Sequence, residues 1–88
     1  MSFEALAEDE RALLDFEREA WTLTGRKEDR IRERFAISPS SYYRALQAVV
    51  DRAAAYEYDP LTVLRLRRRR EALRRERIQG RRADTRTR

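Results

Sequence analysis

Neither cysteine nor histidine occurs in the 88-residue chain. The first absence excludes disulfides, thiolate zinc sites and cysteine nucleophiles. The second removes the commonest general base, the commonest metal ligand and the side chain that titrates near neutrality. Glycine and proline occur only twice each, too few for an all-β fold built on many tight turns. No apolar run approaches the roughly 18 residues of a membrane span. The first residues, Met-Ser-Phe-Glu-Ala-Leu-Ala-Glu, lack the basic start and apolar stretch of a signal peptide. There is no Gly-rich phosphate loop, and no metal-ligand set stands out. The length leaves room for one small core. These absences predict a soluble cytoplasmic protein with no enzymatic activity, no metal and no cofactor.

What is abundant is charge, at 42% of residues, and it is unevenly placed. Residues 1–60 carry nine basic and thirteen acidic side chains, a net of −4. Residues 61–88 carry twelve arginines and three acids (Glu71, Glu76, Asp84), a net of +9. Lys27 is the single lysine. Arginine forms bidentate contacts to phosphate where lysine acts as a point charge, so an Arg-rich end points towards nucleic acid.

Start signals divide the chain into helices. Ser38-Pro39 places a capping hydroxyl before a proline at the first helical position, and Asp59-Pro60 repeats the device with a carboxylate. Gly25 ends the first helix or lies just beyond it. Helix one is expected from Glu8 to Trp21, with Leu13, Phe16 and Ala20 on its apolar stripe and Leu14 and Trp21 widening it. Glu17 falls in the same arc, so it belongs at the rim or beside an arginine. Helix two is expected from Lys27 to Phe35, burying Ile31 and Phe35. Helix three is expected from Pro39 to Ala55, with Tyr42, Leu46, Val49 and Ala53 as core stripe and Val50 beside it. Helix four starts at Pro60 and continues to about Gln79, packing Leu61, Val63, Leu64 and Leu66 onto the domain. Beyond Leu66 the apolar signal nearly ends. The helix is expected to fray towards Gly80, and residues 80–88 read as disordered until bound. The fold class is therefore an all-α domain of three to four helices over residues 1–66. Residues 67–88 form a basic C-terminal helical extension and flexible tail.

The stretch Ile31 to Leu46, Ile-Arg-Glu-Arg-Phe-Ala-Ile-Ser-Pro-Ser-Ser-Tyr-Tyr-Arg-Ala-Leu, resembles the helix-turn-helix of bacterial regulators, sigma-type factors and insertion-sequence transposases. Ile31 and Phe35 supply the first helix's apolar edge, and Ile37 is expected to plug the turn. Ser38 caps the second helix, and Tyr42 and Leu46 return to the same core. That arrangement projects the N-terminal end of the second helix outward, as a reading helix needs. Ala36 stands where many members of this class have glycine, at a turn position that often needs positive φ. A wider pattern resembles a family of short actinobacterial proteins of unknown function over roughly residues 10–70. It comprises Phe16-Glu17, Trp21, Gly25, Lys27-Glu28, Ile31-Arg32-Glu33, Phe35, Ser38, Tyr42-Tyr43, Leu46, Asp51, Asp59-Pro60 and Leu66-Arg67-Arg68. The resemblance implies a small helical domain with a helix-turn-helix in a bacterial cytoplasm, and it supplies no activity.

Ser40, Ser41, Tyr43, Arg44 and Gln47 are the residues helix three can offer to a groove. Arg44 suits guanine and Gln47 suits adenine. Tyr43 either packs on sugar and phosphate or covers the core edge. Lys27, with Arg26, Arg30 and Arg34, offers backbone-positioning charge. Arg67, Arg68, Arg69, Arg70 and Arg74 are candidate phosphate contacts on helix four. The leading expectation is a DNA-binding transcriptional regulator or nucleoid-associated factor. Alternatives are an adaptor docking RNA polymerase through the acidic first segment, net −5 over residues 1–24, and RNA binding through the basic helix. A homodimer is possible through Val63, Leu66, Arg70, Leu73 and Arg77, a seam weakened by two arginines. Membrane-surface binding is disfavoured, because the basic helix lacks a broad apolar face.

Overall fold

The computed structural model describes residues 5–22 and 24–86, with the side chains of Trp21 and residues 81–86 outside that description. The expectation for Trp21 therefore lies outside the described side chains. The chain is all-helical: α1 spans Glu8–Glu19, α2 Lys27–Phe35, α3 Pro39–Val50, α4 Ala53–Tyr58 and α5 Pro60–Arg86. A 3₁₀ turn, Ala20–Thr22, follows α1. No strand occurs among the described residues.

Each start has a local cause. Three acids, Glu8, Asp9 and Glu10, occupy the first turn of α1, where the helix dipole favours them. The Glu10 carboxylate accepts the Ala7 N–H at 2.8 Å. The Ser38 hydroxyl accepts the Ser41 N–H at 3.2 Å and Pro39 opens α3. The Asp59 carboxylate accepts the Thr62 N–H at 3.3 Å and Pro60 opens α5. Gly25 sits at φ 86° before α2.

The core joins Leu13, Leu14 and Phe16 of α1 to Ile31 of α2, to Tyr42, Leu46, Val49 and Val50 of α3, and to Val63 of α5. Phe16, Phe35 and Tyr42 meet with ring centroids 5.5–5.6 Å apart, locking α1, α2 and α3 at one point.

Four expectations are corrected. The helix expected over Pro39–Ala55 is two helices, because the chain leaves helical geometry at Arg52 (φ −79°, ψ 138°). The orphaned ends are satisfied there: Arg52 N–H donates to the Val49 carbonyl, and the Arg67 guanidinium donates to the Val50 carbonyl at 2.9 and 3.1 Å. The break turns Ala54 and Ala55 into the core and leaves Ala53 exposed. Ile37 does not plug the turn but stands 37% exposed, and Leu61 faces outward at 81%. Finally, α5 passes Gly80 without interruption to Arg86, where fraying and a disordered tail were expected. Arg, Glu, Ala, Leu and Gln are strong helix formers, and a single interior glycine costs only about 1 kcal/mol. Thr87 and Arg88 lie outside the described residues.

Candidate nucleic-acid interface

Between α2 and α3 the chain turns in three residues, 36–38. Ala36 adopts φ 57°, ψ 33°, and its N–H closes α2 on the Arg32 carbonyl. This is the left-handed conformation usually left to glycine, held here by an alanine at a cost of about 1 kcal/mol. It reverses the chain so that Tyr42 and Leu46 re-enter the core while the other face of α3 points to solvent. Ser40, Ser41, Arg44 and Gln47 are all exposed on that outer side. Arg44 has no hydrogen-bond or ion-pair partner among the described residues. Ser41 is engaged by the Ser38 cap. Gln47 is also engaged, since its carbonyl oxygen accepts from Arg70 at 3.1 Å.

Beneath this face lies an interaction that patterning did not supply. Glu17 is 4% exposed, and its carboxylate accepts hydrogen bonds from Lys27 Nζ and from the fully buried Tyr42 hydroxyl. The Lys27–Glu17 ion pair measures 2.9 Å. Lys27, not an arginine, is the partner. Burial, and next the adjacent Glu17 carboxylate, push the Tyr42 phenol well above its ordinary value. Arg65 donates to the Glu17 backbone carbonyl at 2.6 Å. The available signals were the chain's single lysine and a tyrosine on a core stripe, whose hydroxyl must find an acceptor when buried. Lys27 also sits 5.3 Å over the Tyr43 ring, and Tyr43 covers the core edge at 37% exposure. Lys27 is thus a structural cation before it is a phosphate ligand.

The arginines of α5 divide into two groups. Arg67 caps α3 through Val50 and lies 5.9 Å from the Tyr56 ring. Arg70 clamps Asp51 through both guanidinium nitrogens, at 2.8 and 3.1 Å. That contact holds the Asp51 carboxyl below its ordinary range and raises Arg70. These two fasten α5 to the C-terminal end of α3, Arg67 at Val50 and Arg70 at Gln47 and Asp51. Arg68, Arg69 and Arg74 form the other group: exposed, with no partner among the described residues. Of these, Arg69 and Arg74 line a groove together with Tyr43 and Gln47 of α3.

Along the same side, a groove of about 560 Å³ separates α3 from α5. It is lined by Tyr43, Leu46 and Gln47 of α3, by Leu66, Leu73, Arg69, Arg70, Arg74 and Arg77 of α5, and by Glu17 and Lys27. Among the described residues, no group of three or more acidic side chains is arranged to hold a metal ion, and no helix is long and apolar enough to cross a membrane.

The fold defines a small all-helical domain whose tight α2–α3 turn presents an exposed helix face beside a basic helix. A family model matches residues 5–78, and the chain belongs to that family, DUF3263, described as proteins of unknown function. No curated protein and no solved structure matches it.

Proposed function

We propose that the chain binds double-stranded DNA as a small helix-turn-helix protein, a transcriptional regulator or nucleoid-associated factor. In this reading α2, the 36–38 turn and α3 form the motif. Arg44 with Ser40 and Ser41 addresses base edges in the major groove, and Arg68, Arg69 and Arg74 contact phosphates. The observation that supports the reading is a set of arginines that the fold leaves unused. Arg44 on the outer face of α3 and Arg68, Arg69 and Arg74 on α5 are exposed and without a partner among the described residues, while Arg67 and Arg70 tie α5 to the C-terminal end of α3. Gln47 and Lys27 drop to a supporting role because Arg70 and Glu17 engage them.

Docking through the acidic first segment has less to stand on. Glu10 is paired with Arg52, Asp15 with Arg18 and Tyr58, and Glu17 is buried. Of the α1 acids, Glu8 and Glu19 have no side-chain partner among the described residues, and Asp9 is engaged by the Glu10 N–H at 2.9 Å.

Selection from a random duplex pool, followed by affinity measurement on the selected site, tests the proposal. Arg44→Ala is expected to relax preference at one base pair by about 1–3 kcal/mol. Affinity and preference both unchanged in that variant would remove α3 as the reading element. Tighter binding to an RNA duplex or hairpin pool than to DNA would move the assignment to RNA.

A further inference from the structure

The groove between α3 and α5 has a composition that phosphate binding does not call for. Leu73, 45% exposed, lines it two turns of α5 beyond the partly buried Leu66. A sugar-phosphate backbone gains nothing from an exposed leucine beside a half-buried one, whereas an apolar helix face does. Arg69, Arg74 and Arg77 stand over this floor with no ion pair among the described residues. Leu66 to Arg77 spans about 16 Å at 1.5 Å per residue, the length of three turns of an opposing helix.

The chain's own helices do not supply the complement. Residues 65–77 carry eight arginines against two glutamates, so a second copy of α5 laid on the first would set like charges together. The outer face of α1 has free acids but keeps its leucines in the core.

We propose that the α3–α5 groove is a docking site for an acidic amphipathic helix of a partner protein. Leucine-like side chains of that helix at i, i+4 and i+7 cover Leu66 and Leu73, and its flanking carboxylates meet Arg69, Arg74 and Arg77. The assignment shares Arg69 and Arg74 with the DNA reading, so the two ligands compete for them, but the apolar floor at Leu66 and Leu73 belongs to the helix site alone.

The test uses the full chain and a fluorescent 16-residue peptide with leucines on one helical face and glutamates elsewhere. Two control peptides have the same composition with the leucines scrambled, and lysine in place of glutamate. The amphipathic acidic peptide is expected to bind at least tenfold more tightly than either control. Leu73→Asn, which alters a half-exposed side chain, is expected to weaken that binding at least tenfold while leaving duplex DNA affinity unchanged. Equal binding of the scrambled peptide would reduce the effect to attraction for any polyanion and overturn the proposal. So would undiminished peptide binding by Leu73→Asn, or equal loss of peptide and DNA affinity in that variant. A dimer of the free chain that Leu73→Asn dissociates would make a second copy the occupant, and would overturn it also.

Discussion

At Ala36 a single backbone angle decides whether α3 can present its outer face. An alanine at φ 57° carries steric cost that glycine does not, although glycine also loses more freedom on folding. Ala36→Gly is expected to raise stability by about 0.5 kcal/mol and leave the helical signal intact; thermal melts followed by circular dichroism would show it. The buried Glu17 carboxylate makes the opposite case. Removing one member of a buried ion pair leaves a charge without compensation, which typically costs about 3–5 kcal/mol. Lys27 keeps 27% of its side chain exposed, so Lys27→Met is expected near the lower end, about 3 kcal/mol by urea unfolding. A loss below 1 kcal/mol would mean that the Tyr42 hydroxyl alone satisfies the carboxylate.

Among the elements, those with a side-chain signal at their start were legible in the sequence. Ser38-Pro39 and Asp59-Pro60 mark the first residues of α3 and α5, and both caps form as expected. The α3–α4 break was not legible, because nothing in Val49-Val50-Asp51-Arg52 interrupts apolar periodicity. Its causes are long-range: Arg67 on the Val50 carbonyl, Arg70 on Asp51, and Arg52 on Glu10 at 2.5 Å. The same holds for the site. The exposed position of Arg44 on the outer face of α3 follows from helical periodicity alone. Arg67 and Arg70 read as phosphate ligands because sequence does not reveal which arginines already have an acceptor within the fold.

These pairs have a pH signature. Hydrogen bonds from Arg52, and next from the Ala7 N–H, hold Glu10 below its ordinary 4.5, and Arg70 holds Asp51 below 3.8. Carboxylates lowered in the folded state contribute stability that is complete above those ordinary values and is lost as pH falls through the folded ones. The melting temperature is therefore expected to be level between pH 7 and 5 and to drop below about pH 4. In the Glu10→Gln, Asp51→Asn double variant that drop is expected to be shallower. An identical acid limb in both proteins would show that these pairs do not hold the α3–α4 corner. Leu46→Ala, at 2% exposure in the core, is expected to cost about 2–5 kcal/mol by the same unfolding assay.

Across the whole molecule, a nearly neutral-to-acidic body carries a cationic helix along one side, and the fold consumes part of that charge internally. Deleting residues from 67 onward would remove Arg67 and Arg70 and with them the attachment of α5 to α3, confounding folding with binding. Substitution of the unpartnered arginines keeps the two apart. The most direct measurement is the salt dependence of affinity for a selected duplex, comparing the native chain with the Arg68→Gln, Arg69→Gln, Arg74→Gln triple variant. Each neutralised phosphate contributes about 0.9 to the slope of log affinity against log salt. If all three arginines contact phosphate, the slope is expected to fall by nearly 3 with sequence preference retained. An unchanged slope and affinity, with the variant folded, would contradict the assignment of this helix to DNA.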